Sequence, residues 1–223
     1  MTFFHILQAI ISGIGVKHLP QKSRVHLYLL LVVIAVFIWS VIKPTSYSSW
    51  ALEVVPALIG LIVVVAIYNR FRFTTLSYTI MAILAMLMFV GGHYTYSDVP
   101  LFDWLQDQFD LKRNDYDRLG HFLKGLFAIV IREILLRKTS LTVGGWLFSI
   151  VTGLVLAISA LYEIIEWLAF KIAKGGKVTQ GFLGMQGDQW DAQWDMSLTL
   201  VGSILALLFL SKLHDRLLKE IKK

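Results

Sequence analysis

Apolar positions along this chain come in blocks rather than in stripes. Predominantly apolar runs fall at 25–42, 50–68, 76–92, 119–136, 143–170 and 196–213. Each is near or above the about 20 residues that a helix needs to cross a bilayer core of roughly 30 Å. The pattern predicts an all-α, polytopic membrane bundle of six transmembrane helices in one domain spanning 1–223. The fifth run exceeds one crossing, so it is expected to tilt or to project beyond the bilayer. The fourth is interrupted by His121, Lys124, Arg132 and Glu133. It is kept as a span because ionisable residues inside a membrane turn toward a bundle interior or toward the ends of their helix. Ahead of the first run, FFHILQAIISGIGV is too short to span and lacks the basic start and cleavage pattern of a signal peptide. Its apolar residues recur at helical spacing, which predicts an N-terminal interfacial helix.

Composition agrees with this reading. The chain of 223 residues is 57% hydrophobic and 16% charged, well beyond an ordinary soluble domain. No cysteine is present, which removes disulfides, thiolate metal sites and cysteine nucleophiles. The net charge of +6 does not point to nucleic acid, because the basic residues form short clusters between apolar runs. Lys17, Lys22 and Arg24, then Arg70 and Arg72, then Arg132, Arg137 and Lys138, then Lys212, Arg216 and Lys219 all fall on one side of a six-span arrangement. Cytoplasmic loops are the ones enriched in Lys and Arg. Both termini are therefore expected in the cytoplasm, with the loops rich in Asp, Trp and Tyr on the outer face.

Two of those outer segments carry chemistry. In NDYDRLGHFLKG (114–125), Asp117 and His121 lie one helical turn apart and Lys124 one turn further on. A carboxylate beside an imidazole sets its tautomer and raises its basicity, which suits a general base or a metal ligand. In QGDQWDAQWDM (186–196), Asp188, Asp191 and Asp195 recur at spacings of three and four beside Trp190 and Trp194. YEIIEW (162–167) adds Glu163 and Glu166 on one face late in the fifth span, where a carboxylate is costly unless paired, protonated or metal-bound. Each feature also has a plain use: Asp117 and Asp188 as caps, the tryptophans as interfacial anchors, and Glu163 as a salt bridge to Lys124. Those uses leave unexplained why carboxylate and imidazole arrive at one level from several helices. Asp117, His121, Glu163, Glu166, Asp191 and Asp195 are the expected catalytic set. Arg113, Arg118, Lys124, His93, Tyr116, Asp188 and Trp190 are the expected substrate contacts.

Three mechanisms fit such a set. A divalent cation held by Asp117, His121, Glu163 and Asp195 could activate water or a phosphate ester. The same groups could work without metal as acid and base, or carry protons or cations in a small transporter. A fourth use is structural, with the charges locking helices together. No GxSxG, HExxH, Walker or dinucleotide motif occurs.

GGHYTYSDVP (91–100), RNDYDRLGHF (113–122), SALYEIIEW (159–167) and FLGMQGDQWDAQWDM (182–196) together resemble the YjdF-type family of bacterial inner-membrane proteins, a domain of unknown function. The resemblance runs from the first span to the sixth. It implies a bacterial inner-membrane location and names no reaction. A looser similarity is to VanZ-like membrane proteins, echoed by Asp117 with His121, by Glu163 or Glu166, and by Asp195 with Gly202. Lysines and glycines stand here where that family carries an arginine-containing segment. With the bilayer as its partner, the chain is expected to bind or modify an envelope lipid or lipid-linked headgroup.

Overall fold

A computed structural model describes residues 20–172 and 186–221. Among the described residues there is helix and no strand. The elements are α1 (Gln21–Val41), α2 (Tyr47–Ile67), α3 (Thr75–Tyr94), α4 (Pro100–Phe109), α5 (Tyr116–Lys124), a 3-10 turn (Gly125–Phe127), α6 (Ala128–Lys138), α7 (Gly145–Ile172) and α8 (Asp191–Ile221). The expected N-terminal interfacial helix lies outside the described residues.

Among the described residues, five helices are long and apolar enough to cross a membrane: α1, α2, α3, α7 and α8. The 21 residues of α1 and of α2 rise about 31 Å at about 1.5 Å per residue, matching one hydrocarbon core. Where the fourth run predicts a single span, the chain forms α5, the 3-10 turn and α6 in succession. The turn falls where Gly125 meets α8. A Cβ on Gly125 would lie 2.5 Å from Ser203 N, and one on Gly202 would lie 2.0 Å from Phe122 O. Two backbones touch there because neither residue carries a side chain. The sixth run, expected at 196–213, is the middle of a 31-residue helix, since hydropathy marks only the part of a helix that sits in hydrocarbon. The short α4 is an element that the span pattern does not predict.

Local chemistry sets the ends of these helices. Ser46 caps α2 by accepting from Ser49 N, and Thr74 caps α3 by accepting from Ser77 N. Pro100 opens α4, and Asp110 ends it in the left-handed region with φ 51°. Helix α3 is central: α1, α2 and the α5–α6 segment all pack on it, while α8 packs on α5, α6 and α7. The main apolar core joins α3, α6, α7 and α8 through Ile80, Ile129, Val151 and Leu207. Outward faces stay apolar as well, with Ile62 of α2 and Phe209 of α8 exposed. That distribution suits lipid as solvent.

At the end where α3 begins and α8 ends, a buried polar network ties three helices. Glu133 accepts from Thr74 N at 2.9 Å, Ser77 Oγ at 2.6 Å and Arg137 at 2.7 Å, and its Oε2 stands 3.3 Å from His214 Nε2. Arg132 reaches His214 Nδ1 and Asp215, each at 2.7 Å. Every polar group there has a partner, which is what burial of charge in a membrane bundle demands.

Candidate functional site

The opposite end gathers most of the expected chemistry. Two successive turns of α5 carry Asp117, His121 and Lys124, with Asp117 and His121 buried. His121 Nε2 lies 3.6 Å from Asp117 Oδ1 and 2.8 Å from Lys124 Nζ. Its Nδ1 lies 3.7 Å from Glu163 Oε1 on α7 and 3.5 Å from Thr199 Oγ1 on α8. With Lys124 as an ammonium, which can only donate, Nε2 accepts and the ring proton sits on Nδ1, facing Glu163; a cation on Nε2 would take the place of Lys124 there. Asp195 enters from α8. Asp117, His121 and Asp195 each offer a ligand atom within 4.8 Å of the others'. The Oδ1 of Asp195 and the Oε1 of Glu163 are buried and find no hydrogen-bond donor among the described residues.

The loops around this cluster are cross-tied. Asn114, fully buried, donates through Nδ2 to Asp103 at 2.7 Å and to Val99 O at 3.2 Å. It also exchanges two hydrogen bonds with Gln186, at 2.9 and 2.8 Å. The start of α5 is thereby held against α4 and the start of α8. Asp188 accepts from Trp190 N at 2.9 Å, the cap chemistry that its Gly-Asp context suggests.

Arg113 and Arg118, expected as anion contacts, meet carboxylates instead. Arg113 pairs with Asp191, and Arg118 pairs with Asp188 at 2.6 Å and with Asp115 at 3.5 Å. Burial works against the Arg113 charge, but the hydrogen bond to Asp191 together with the nearby charges of Asp191, Asp117 and Asp195 outweighs it and holds its pKa above the usual value. Asp188 and Asp191 are thus the arginines' partners, one step removed from the imidazole. Glu166 sits half-buried one turn beyond Glu163. Trp190 is exposed. Tyr116 donates to Leu87 O at 2.8 Å and packs on Tyr96 and Phe102. His93 lies apart, with Nδ1 3.1 Å from Ser40 O and its ring against Trp39.

Four residues join the cluster that the sequence does not single out. Glu53 of α2 is buried and accepts from Tyr162 Oη at 3.4 Å. Lys124 Nζ stands 4.4 Å from the centre of the Tyr162 ring and 5.8 Å from that of Tyr96. Burial pushes the Tyr96 phenol well above its usual range, so it remains a neutral donor. Thr199 completes the set by donating to His121 O at 3.0 Å. Glu53 carries a usable signal, as a lone acid early in an apolar run. The tyrosines and the threonine carry none.

Glu53, Asp117, Glu163, Glu166 and Asp195 face one ammonium, Lys124, once the two arginines are assigned to Asp188 and Asp191. A surplus of buried carboxylate is held only by protonation or by a bound cation.

Similar sequences place the chain. It is 39% identical over 186 residues to a protein of Escherichia coli (strain K12) named inner membrane protein YjdF, covering 83% of this chain and 88% of that one. No solved structure matches it. The family described as predicted membrane protein (DUF2238) matches residues 25–216. With the family motifs spread over the helices that build the cluster, the chain belongs to this DUF2238 family of membrane proteins.

Proposed function

We propose that this protein binds a divalent cation in its buried carboxylate and imidazole cluster and uses it to act on the phosphorylated headgroup of an envelope lipid. The carrying observation is the convergence of Asp117, His121 and Asp195 ligand atoms within 4.8 Å, beside buried carboxylate oxygens that lack donors. Nitrogen and oxygen ligands of this kind suit zinc, manganese or a similar ion. The carboxylate surplus repels a bare phosphate, and both arginines are already paired. An anionic headgroup would therefore bind only through the cation, which offsets part of the carboxylate surplus. Asp117, His121 and Asp195 would hold the ion, which would supply Lewis-acid polarisation of a phosphoryl oxygen and lower the pKa of a water. Glu163, across from His121 Nδ1, orients the imidazole and accepts a proton. Lys124 steadies charge on the departing oxygen.

In this reading the α5–α6 segment crosses the bilayer as a sixth span. Both termini are cytoplasmic, and the cluster opens toward the outer leaflet of a bacterial inner membrane.

A second reading is favoured by one feature. The Asp117, His121 and Lys124 turn runs directly into the 3-10 interruption at Gly125–Phe127, and interrupted helices are where transporters place coupling ions. Elemental analysis of protein purified without chelators separates the two. One equivalent of a divalent metal, lost in both His121→Ala and Asp195→Asn at equal folded yield, is the expected result. Metal-free wild-type protein whose carboxylates take up protons on reconstitution supports the transporter and sinks the metal-dependent enzyme.

A further inference from the structure

A cavity of about 550 Å³ runs between α1, α2 and α3 on one side and α6 and α7 on the other. Its walls are apolar, formed by residues such as Leu61, Met81, Met88, Val130 and Val155. One end reaches His26, Tyr68 and Tyr78 near the start of α3. The other reaches His121, Lys124, Ser159, Tyr162 and Thr199, side chains of the cluster or in contact with it. Along its length α2 presents Pro56, Ala57 and Gly60 to the cavity. A Cβ on Gly60 would meet nothing within 4 Å. The hydrogen bond from Tyr162 to Glu53 joins α2 and α7 at the cluster end.

The lining of an apolar void of this size forfeits dispersion contacts on one side, so filling it with hydrocarbon is favourable. Water gains nothing from walls without polar partners. The cavity lies at the depth of the spanning helices, where the surrounding medium is hydrocarbon. Its volume is that of a binding site for a small organic ligand, and of its two polar ends the one at His121 and Lys124 adjoins the carboxylate cluster.

We infer that this cavity holds one acyl chain of a bilayer phospholipid, entering sideways between α2 and α7, whose phosphorylated headgroup lies in the cluster of Asp117, His121 and Asp195. The inference rests on the function proposed above and adds the substrate class: a membrane-resident lipid rather than a soluble phosphate. Chain and headgroup recognition are then separate. The helices of the cleft select for a hydrocarbon tail, and the cluster selects for the group attached to it.

Gly60 gives a clean test. Replacing it with Leu adds a branched side chain into open space on a helix that favours Leu over Gly, so the fold is kept while the cleft is filled. Gly153 of α7 also has open space at its Cβ and does not line the cavity. The protein is reconstituted into nanodiscs of phosphatidylethanolamine and phosphatidylglycerol, with a trace of phosphatidylethanolamine bearing a diazirine in one acyl chain. After illumination, labelled peptides are mapped by mass spectrometry. Label concentrated on Leu61, Met81, Met88 and Val155 is expected. Gly60→Leu should lower it by about tenfold, about 1.4 kcal/mol of lost binding, while Gly153→Leu leaves it unchanged. Label spread over outward residues such as Ile62 and Phe209, with none in the cleft, overturns the inference, as an occupant made of protein would also produce. So does cleft label indifferent to Gly60→Leu.

The same samples carry the metal measurement, which keeps the two proposals apart. Metal retained by Gly60→Leu shows an intact cluster, so its lost label reports the cleft alone. Cleft label in wild-type protein that holds no metal keeps the acyl-chain site and removes the metal reading.

Discussion

The Glu133 carboxylate collects donors from Thr74, Ser77 and Arg137 beside His214, whereas the Glu163 carboxylate has an oxygen buried with no donor. These contrasting surroundings predict opposite responses to the same change. Glu133→Ala strips a charge-assisted network from three helices and should cost about 3–5 kcal/mol, as removal of one member of a buried ion pair does. Glu163→Gln removes one charge from a surplus and should leave thermal unfolding in detergent unchanged or shift it upward. A Glu163→Gln protein that melts as early as Glu133→Ala would make Glu163 a helix lock. Both acids were visible in the sequence as charges inside apolar runs. Which of them would be fully satisfied was not, because Glu133's donors lie 59, 56 and 4 residues away along the chain for Thr74, Ser77 and Arg137.

At the scale of elements, the α5–α8 pairing depends on two glycines facing each other. Gly202→Ala brings a Cβ to 2.0 Å from Phe122 O, a backbone atom that cannot swing aside. The expected loss is at least the about 1–3 kcal/mol of an overpacked contact, read as a lower unfolding temperature together with loss of any bound metal, since Asp195 and His121 ride on these two helices. Gly60→Ala, with open space around it, should be neutral or stabilising by up to about 1 kcal/mol. Equal stability of the Gly202→Ala and Gly60→Ala proteins would refute the close approach. In the sequence, Gly202 and Ala206 stand four apart, a small-residue spacing that marks a face for close helix packing. Gly125 as its partner, and the 3-10 turn that results, were not legible, because a contact between helices leaves no periodic trace in either one.

For the whole molecule, the proposed orientation places the start of α1 and the end of α8 in the cytoplasm, where Lys22 and Glu220 form an ion pair at 2.7 Å. A fluorescent protein fused after Lys223 should therefore fluoresce, and alkaline phosphatase inserted at Asp107 of the exposed α4 should be active. The reverse pattern inverts the molecule and puts the cluster on the cytoplasmic side. The sequence by itself determined that the chain is a helical membrane protein, where five of its long helices run, and which residue types could supply chemistry. Hydropathy and helical spacing are properties of single segments, so one sequence is enough to read them. Tertiary structure alone decided that Arg113 and Arg118 are spent on Asp191 and Asp188, that Glu53 and Tyr162 join the cluster, and that an apolar cleft ends beside His121. Each of these depends on which helix faces which, and that is settled by the packing of side chains distant in the chain rather than by any local pattern.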